Sequence, residues 1–402
     1  MKKFRTIVLA ALLALATGAL PANADVAAWI VVDAKDGTVL EQHEAFQKWY
    51  PASLTKMMTA YVVFSQIGQS QLTLQSPVRI SQRALNQPPS KMGFKVGTLM
   101  TLDSALNMLL VKSANDIAVA ISEAAGGSEQ EFVRMMNKTA RKMGLTHTQF
   151  VNPHGLPDNR QVSSARDLAI LARALWTEFP QHRNYMKQAG IRFGKRTMRS
   201  GNKDYLLRVE GANGLKTGYI CNSGYNVATS ATRRGRTLIA VVLGAASGLE
   251  RAAFAKKLID NGFKNSTGPS LYHLAPQKVK SPPADQYCKR NEKPTAQELV
   301  DRFGTKRAEL PTLSYANSEL PRSEGIKVVS ANNKVNWSRV YEEILGPQIK
   351  SYAPIKVSVG VAGIKEHKGV PLAENIPLPT AKPVARKSLH NAVIPKNAPG
   401  NG

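Results

Sequence analysis

The sequence predicts a mixed α/β fold of the α+β kind: one antiparallel sheet flanked by helices, with a helical subdomain inserted in its middle. Three observations carry that expectation. They are a strand pair near residue 30, helical periodicity from residue 53 to residue 176, and strands between residues 205 and 245 closed by one more helix. Strands at both ends of a helical middle suit a single sheet with helices on its faces.

The first element is a hairpin. Residues 27–40 alternate apolar and polar around Asp36-Gly37, a turn signal between Trp29-Ile30-Val31-Val32 and Thr38-Val39-Leu40. After Pro51, Ser53 opens a run with Met57, Met58, Tyr61, Val62 and Phe64 at the spacing of a buried helix. Residues 77–100 are turn-rich and basic. From Asp103 to Ala125 a long helical pattern passes through Leu106, Leu109, Leu110, Ile117 and Ile121, and Gly126-Gly127 ends it. Residues 129–143 form another helix, stopped by Gly144. Asn152-Pro153-His154-Gly155-Leu156-Pro157 is a loop, and Ser164 to Trp176 returns to helix. Strands then run into Lys216, from Gly224 to Thr232 and, past a turn at Arg234-Gly235, from Thr237 to Leu243. Residues 249–263 form the closing helix, and the roughly 240 residues so far are acceptable as one domain.

The N-terminus reads as an export signal over residues 1–24. Lys2, Lys3 and Arg5 precede a charge-free apolar run from Thr6 to Leu20, and Pro21-Ala22-Asn23-Ala24 offers small residues for cleavage before Asp25. The apolar run is shorter than the roughly 20 residues of a membrane span. The domain proper occupies residues 25–267, and from residue 268 to residue 402 the character changes. Fifteen prolines, Pro269 through Pro399, fall there among Lys and Asn with few apolar periods. Asp301 to Glu309 and Trp337 to Leu345 are candidate short helices, and Lys356-Val357-Ser358-Val359 is a candidate isolated strand. The last thirty or so residues read as disordered, so the extension is expected to be basic, poorly ordered and largely irregular. It shows no tail helix with a strong apolar face, so nothing in it supports membrane docking.

The chain carries a formal net charge of +26, of which the leader supplies only Lys2, Lys3 and Arg5. In a cytosolic protein such a charge points to nucleic acid. In an exported, periplasmic or cell-wall protein the anionic partners are wall polymers, lipid headgroups or surface glycans, or the charge serves solubility alone. The two cysteines, Cys221 and Cys288, form an even pair that an oxidising compartment allows to bridge, and the sequence leaves bridged and free states both open. Cys221 as a catalytic thiol is disfavoured because no His lies near it in sequence.

Three short motifs in one order carry the chemistry: Ser53-Leu54-Thr55-Lys56, Ser113-Ala114-Asn115 and Lys216-Thr217-Gly218. Alone each is weak. Ser200-Gly201-Asn202-Lys203 also fits Ser-x-x-Lys, and Ser330-Ala331-Asn332 is a second Ser-x-Asn, whereas Lys-Thr-Gly occurs once. Together they make an acyl-transfer set of nucleophile, base, proton relay and cationic carboxylate receptor. Ser53 starts a helix, so its hydroxyl sits at a positive dipole end, and Lys56 lies one turn later on the same face. A lysine acts as base only if burial or neighbouring cations lower its pKa, and Met57, Met58 and Tyr61 are apolar neighbours that can do so. Ser113 and Asn115 are mediocre helix formers inside a helical pattern, which fits either a local break facing a cleft or a satisfied polar pair in the core. Lys216 with the Thr217 hydroxyl is a receptor for a carboxylate. Gly218 admits a close backbone approach, and the amide just after it could share an oxyanion hole with that of Ser53. No metal-binding His pattern appears, His154 stands in a Pro-Gly loop that requires no ligand role, and no local sequence points to a Ser-His-Asp triad or to any cofactor.

With these residues in hand, the chain closely resembles the D-alanyl-D-alanine carboxypeptidases, the low-molecular-mass penicillin-binding proteins, over roughly residues 26–264. The blocks that carry the resemblance are Pro51-Ala52-Ser53-Leu54-Thr55-Lys56-Met57-Met58-Thr59-Ala60, Lys112-Ser113-Ala114-Asn115-Asp116, Asn152-Pro153-His154-Gly155-Leu156 and Gly214-Leu215-Lys216-Thr217-Gly218-Tyr219. The resemblance implies the β-lactamase/transpeptidase-like fold and removal of the terminal D-alanine from peptidoglycan stem peptides through an acyl-enzyme on Ser53. By the same resemblance Lys56 is the base, Ser113 passes the proton to the leaving amine, Asn115 binds substrate, and Lys216 and Thr217 bind the carboxylate. The backbone amide of Tyr219 then joins that of Ser53 at the oxyanion, and β-lactams are expected to trap the serine. Family members often add a β-rich second domain and a C-terminal amphipathic anchor, and residues 268–402 read as neither. An arginine often assists the carboxylate; the sequence assigns none, and Arg199 is one candidate. The alternatives are a β-lactamase or an endopeptidase on the same fold, and a non-catalytic wall-binding module that works through its basic tail.

Overall fold

The computed structural model describes residues 26–275, 279, 281–283, 287–289, 293–304, 327–330 and 332–360. The expected export signal and the expected disorder of the last thirty residues lie outside the described residues.

The chain enters through the expected hairpin, β1 (Ala28–Asp33) and β2 (Val39–His43), turning at Gly37 with φ +80°. One helical turn, Ala52–Thr55, leads into α1 (Lys56–Gly68). Residues 77–100, read as turn-rich and basic, belong to a ribbon of β3 (Pro77–Arg79) and β4 (Leu99–Thr101) around the short α2 (Gln82–Leu85). The long helical pattern is broken, as its polar centre indicated. α3 (Leu102–Asn107) widens into a π-type turn over Met108–Lys112, Ser113 takes a left-handed conformation (φ +63°), and α4 (Asn115–Gly126) starts afresh. α5 (Glu129–Lys142) and α6 (Ala165–Glu178) follow, each capped by a serine side chain, Ser128 and Ser164.

A hairpin the sequence reading missed, β5 (Gly190–Phe193) and β6 (Arg196–Arg199), precedes α7 (Lys203–Arg208). Residues 205–208 were expected as strand but form helix, because Tyr205, Leu206 and Leu207 all find buried positions on one short turn. β7 (Ala212–Ile220), β8 (Gly224–Arg233) and β9 (Arg236–Ala245) complete the main sheet, and α8 (Gly248–Gly262) closes the domain. The main sheet is antiparallel throughout with order β2-β1-β9-β8-β7. Its central strand explains the unbroken apolar run in the sequence. Ile239, Val241 and Leu243 face the cluster that holds α1, α4 and α6, while Leu238, Ala240 and Val242 face α8. With both faces covered, alternation disappears.

In the described part of the extension two short helices and a short strand form. α9 (Ala296–Phe303) and α10 (Trp337–Leu345) pack on each other and on α8, burying Leu299, Val300, Val340, Ile344 and Leu345. α10 matches its expected range, whereas the helix expected from Asp301 begins at Ala296. A capping box between Thr295 and Glu298 fixes that start. β10 (Ile355–Lys356) is not isolated: it pairs parallel with β5. Each piece is too short for apolar periodicity to register, and stability comes from packing against the domain. No helix among the described residues is long and apolar enough to cross a membrane.

Cys221, in the β7–β8 turn, is disulfide-bonded to Cys288. Next to it, the Tyr287 ring packs edge-on against Trp49 and its hydroxyl donates to Gly244 O at 3.1 Å. The bond closes a sequence separation of 67 residues. Loop-closure entropy for a ring of that length corresponds to about 4 kcal/mol. The Cys221→Ser/Cys288→Ser double variant should therefore unfold at a clearly lower urea midpoint, and wild type treated with reductant should match it. An unchanged midpoint would show that the bond constrains nothing.

Candidate active site

The turn that carries Ser53 is held from three sides. Asn226 of β8, fully buried, donates to Tyr50 O (2.9 Å) and Pro51 O (3.4 Å) and accepts from the Gly244 amide (3.0 Å). A Cβ on Gly155 would lie 1.9 Å from Ala52 O, and one on Gly218 would lie 3.0 Å from both Pro51 O and Ser53 N. Only glycine allows the loop and the edge strand to close on the turn in this way. Ala52 itself has φ +47°, a strained conformation for alanine immediately before the serine. A helix that begins at Ala52 has no acceptor of its own for the Ser53 amide.

Lys56 is fully buried in the first turn of α1. Its Nζ lies 3.0 Å from Ser53 Oγ, 2.7 Å from Asn115 Oδ1 and 2.7 Å from the carbonyl oxygen of His154. Burial holds its pKa well below the usual lysine value, the charge of Lys216 lowers it further, and Asp116 opposes both. The His154 side chain needs no ligand role. Burial and the nearby Lys56 and Arg83 push its pKa down to about 3, so the ring is neutral. Its Nδ1 accepts from the Leu156 amide at 3.1 Å.

Ser113 sits at the junction of the π-type turn and α4, where its left-handed backbone turns the chain so that Asn115 reaches Lys56. Asn115 Nδ2 donates to Pro88 O (3.0 Å), which fixes which end of the amide faces the amine. Asp116, also fully buried, accepts from the amides of Met92 and Gly93 and so pins residues 88–93 over α4.

Lys216, Thr217, Gly218 and Tyr219 lie along β7, the sheet edge that faces the serine turn. Lys216 is 2 % exposed, and burial, with Arg251 nearby, brings its pKa down to about 7. Tyr219 is exposed and its ring packs on that of Tyr225. The structure therefore joins Lys56 to both Ser53 and Asn115 and sets the Lys216–Tyr219 strand beside the serine turn, because the start of α1, the break before α4 and the edge strand converge. Among the described residues no hydrogen bond links the Ser113 hydroxyl to Ser53 or Lys56.

One correction follows. Arg251, not Arg199, stands against Lys216. It is buried in the first turn of α8, donates to Asn226 O (3.3 Å) and Gly201 O (3.1 Å), and burial lowers its pKa to about 10. Arg199 is exposed on β6. A cation in the first turn of a helix opposes the dipole, and that misplacement was the one sequence signal for Arg251. The second Ser-x-x-Lys is no catalytic pair, because Ser200 Oγ accepts from the Asn202 amide and Lys203 pairs with Asp204.

A sequence model of the D-alanyl-D-alanine carboxypeptidase family, Peptidase S11, matches residues 16–247. The chain is 35% identical over 250 residues to the D-alanyl-D-alanine carboxypeptidase DacC of Escherichia coli, covering 60% of this chain and 62% of that one. It is 34% identical over 254 residues to the DacA enzyme of Haemophilus influenzae, covering 62% and 64%. The chain thus matches just under two thirds of the length of these relatives. Among solved structures, penicillin-binding protein 5 of Haemophilus influenzae superposes with TM-score 0.58 at 33% identity over 62% of this chain and 73% of that one. Penicillin-binding protein D2 of Listeria monocytogenes, in its ampicillin-bound form, gives TM-score 0.52 at 27% identity over 59% and 97%.

Proposed function

The chain belongs to the D-alanyl-D-alanine carboxypeptidase family, and from that premise we propose that it removes the terminal D-alanine of peptidoglycan stem peptides through an acyl-enzyme on Ser53. The observation that carries this reading is the set of partners around Lys56. A neutral amine has two N–H donors and one lone pair. The carbonyl oxygens of Asn115 and His154 can only accept, at 2.7 Å each, so they take both donors. The lone pair is left for the Ser53 hydroxyl at 3.0 Å, which makes the amine a base aimed at that hydroxyl.

Ser53 Oγ then attacks the carbonyl of the penultimate residue as its proton passes to Lys56. The amides of Ser53 and Tyr219 receive the oxyanion, and Ser113 returns the proton to the departing D-alanine amine. Asn115 steadies both the amine and the substrate. Lys216 and Thr217, backed by Arg251, hold the free carboxylate, which restricts the enzyme to chain ends. Water releases the acyl group. A β-lactam offers a carboxylate beside a strained amide, enters the same path and is expected to remain on the serine. Action outside the cytoplasm, in the periplasm or at the wall, is supported by the Cys221–Cys288 bond.

A β-lactamase needs an acid placed to activate a deacylating water. Asp116, the carboxylate that acts on Lys56, already accepts from the amides of Met92, Gly93 and Ile117. Incubation with a pentapeptide muropeptide and a cross-linked dimer decides among the remaining readings. Release of one D-alanine from the pentapeptide with the dimer intact is the expected result. Cleavage of the dimer alone would make the protein an endopeptidase, and rapid repeated turnover of penicillin would make it a β-lactamase.

The pH profile gives a second check. Lys56 must be neutral and Lys216 protonated, so kcat/KM should rise as Lys56 loses its proton and fall as pH passes the Lys216 pKa of about 7. In Lys216→Arg the guanidinium stays charged, and the alkaline fall should move up. An alkaline limb that stays in place in that variant would assign it to another group.

A further inference from the structure

Residues 180–203 contain seven lysines and arginines and no aspartate or glutamate, and residues 346–360 contain Lys350 and Lys356 and again no acid. The fold brings these two segments together as one small sheet of order β10-β5-β6. Residues paired across strands share a face. Ile191, Met198 and Ile355 lie against the core. Arg192, Thr197 and Lys356 therefore occupy the opposite face, together with Arg199 beside Gly190. Arg192, Arg199 and Lys356 are exposed, as are Lys195 at the hairpin tip and Lys187 and Lys350 at the margin.

None of these cations forms an ion pair with another described residue. The Tyr352 ring covers Gly190 on the same face. The charge of Lys187 feels both Arg183 and Lys350, so cations from the domain and from the extension act on one another here. No large apolar side chain is exposed on β5, β6 or β10.

The face is continuous with the cleft. β6 runs directly into Ser200-Gly201, where a Cβ on Gly201 would come within 2.7 Å of Thr217 Oγ1, and Gly201 O accepts from Arg251 at 3.1 Å. We propose that the outward face of the β10-β5-β6 sheet is a docking surface for a carboxylate-bearing glycopeptide polymer, the peptidoglycan wall itself, and that it delivers stem peptides to the mouth of the pocket. Separate exposed cations bind one small anion poorly but add along a polyanion, and no acid in either segment interrupts them. A bilayer fits less well, because the strands offer nothing apolar to insert. The inference rests on the function proposed above for its choice of polymer.

The test is cosedimentation of the mature chain with purified peptidoglycan sacculi, in parallel with sacculi whose carboxylates have been converted to amides and with phosphatidylcholine–phosphatidylglycerol vesicles. The comparison variant is Arg192→Glu/Lys195→Glu/Lys356→Glu. Its affinity for native sacculi should fall by about tenfold or more, and wild type should lose as much on amidated sacculi or in high salt. The rate of penicillin acylation should stay at the wild-type value, which shows that the variant is folded with its cleft intact. Equal sedimentation of variant and wild type, full binding to amidated sacculi, or binding to vesicles in place of sacculi would each overturn the proposal. Failure of the wild-type chain to react with penicillin would instead count against the proposed function, whatever the sedimentation shows.

Discussion

Incubated with a penicillin, the protein should gain a single covalent adduct on the peptide that contains Ser53. The Ser53→Ala variant should gain none, and its D-alanine release should fall by about 10^5-fold. The size of the loss follows from the role of the atom. Without Oγ no ester can form, and what remains is the weak catalysis of a pocket that only binds and polarises. The substitution should disturb little else. Ser53 is only partly buried, the turn around it is fixed by Asn226, Gly155 and Gly218, and Ala52 already adopts its strained conformation. Peptide mapping by mass spectrometry reads the result directly. An adduct on the peptide of Ser200 would show that the wrong serine had been chosen.

Lys56→Met should produce two effects of opposite sign. Acylation should fall by about 10^4-fold, the upper range for loss of a positioned base, while the folded state gains stability. Lys56 is fully buried and its pKa lies well below the ordinary value, chiefly because burial penalises the charged form. Below the unfolded pKa the unfolded chain therefore binds more protons at this amine than the folded chain does. Stability of the wild type rises with pH between the folded and the unfolded pKa of this amine. Methionine removes that penalty and keeps the volume and the unbranched stem. The melting temperature of the variant should exceed that of the wild type by several degrees near neutrality, and the gap should close toward pH 10. Thermal unfolding followed across that range, together with acylation rates, tests both halves. A variant that is less stable at every pH would mean that the hydrogen bonds to Asn115 and His154 outweigh the cost of burying the amine.

Much of the fold was legible because its signals are local. Asp36-Gly37 marks a hairpin by turn chemistry, and Gly126-Gly127 and Gly144 mark helix ends. The polar Ser113-Ala114-Asn115 inside an apolar helical run marks a break. Tertiary context overrode local pattern at α7, where three adjacent apolar residues pack as a helical turn, and in the extension. There α9 and α10 are each about two turns long, and packing on each other, on α8 and on α7 stabilises them. The β5–β6 hairpin escaped because its outward residues are cationic and its inward ones too few to read as alternation.

At the site, the residue types that can do the chemistry were readable in order along the chain: a serine and a lysine one helical turn apart, a small polar break, and a lysine on a strand. Which atoms they meet was decided by residues distant in sequence. The carbonyl oxygen of His154 completes the environment of Lys56, and a backbone oxygen leaves no trace in side-chain identity. Arg251 reaches Lys216 because α8 packs beneath β8. The pairing of Cys221 with Cys288 depends on where the extension returns. Sequence determines propensity and chemical capacity residue by residue, whereas burial and electrostatic coupling depend on distances between segments, and these exist only once the chain has packed.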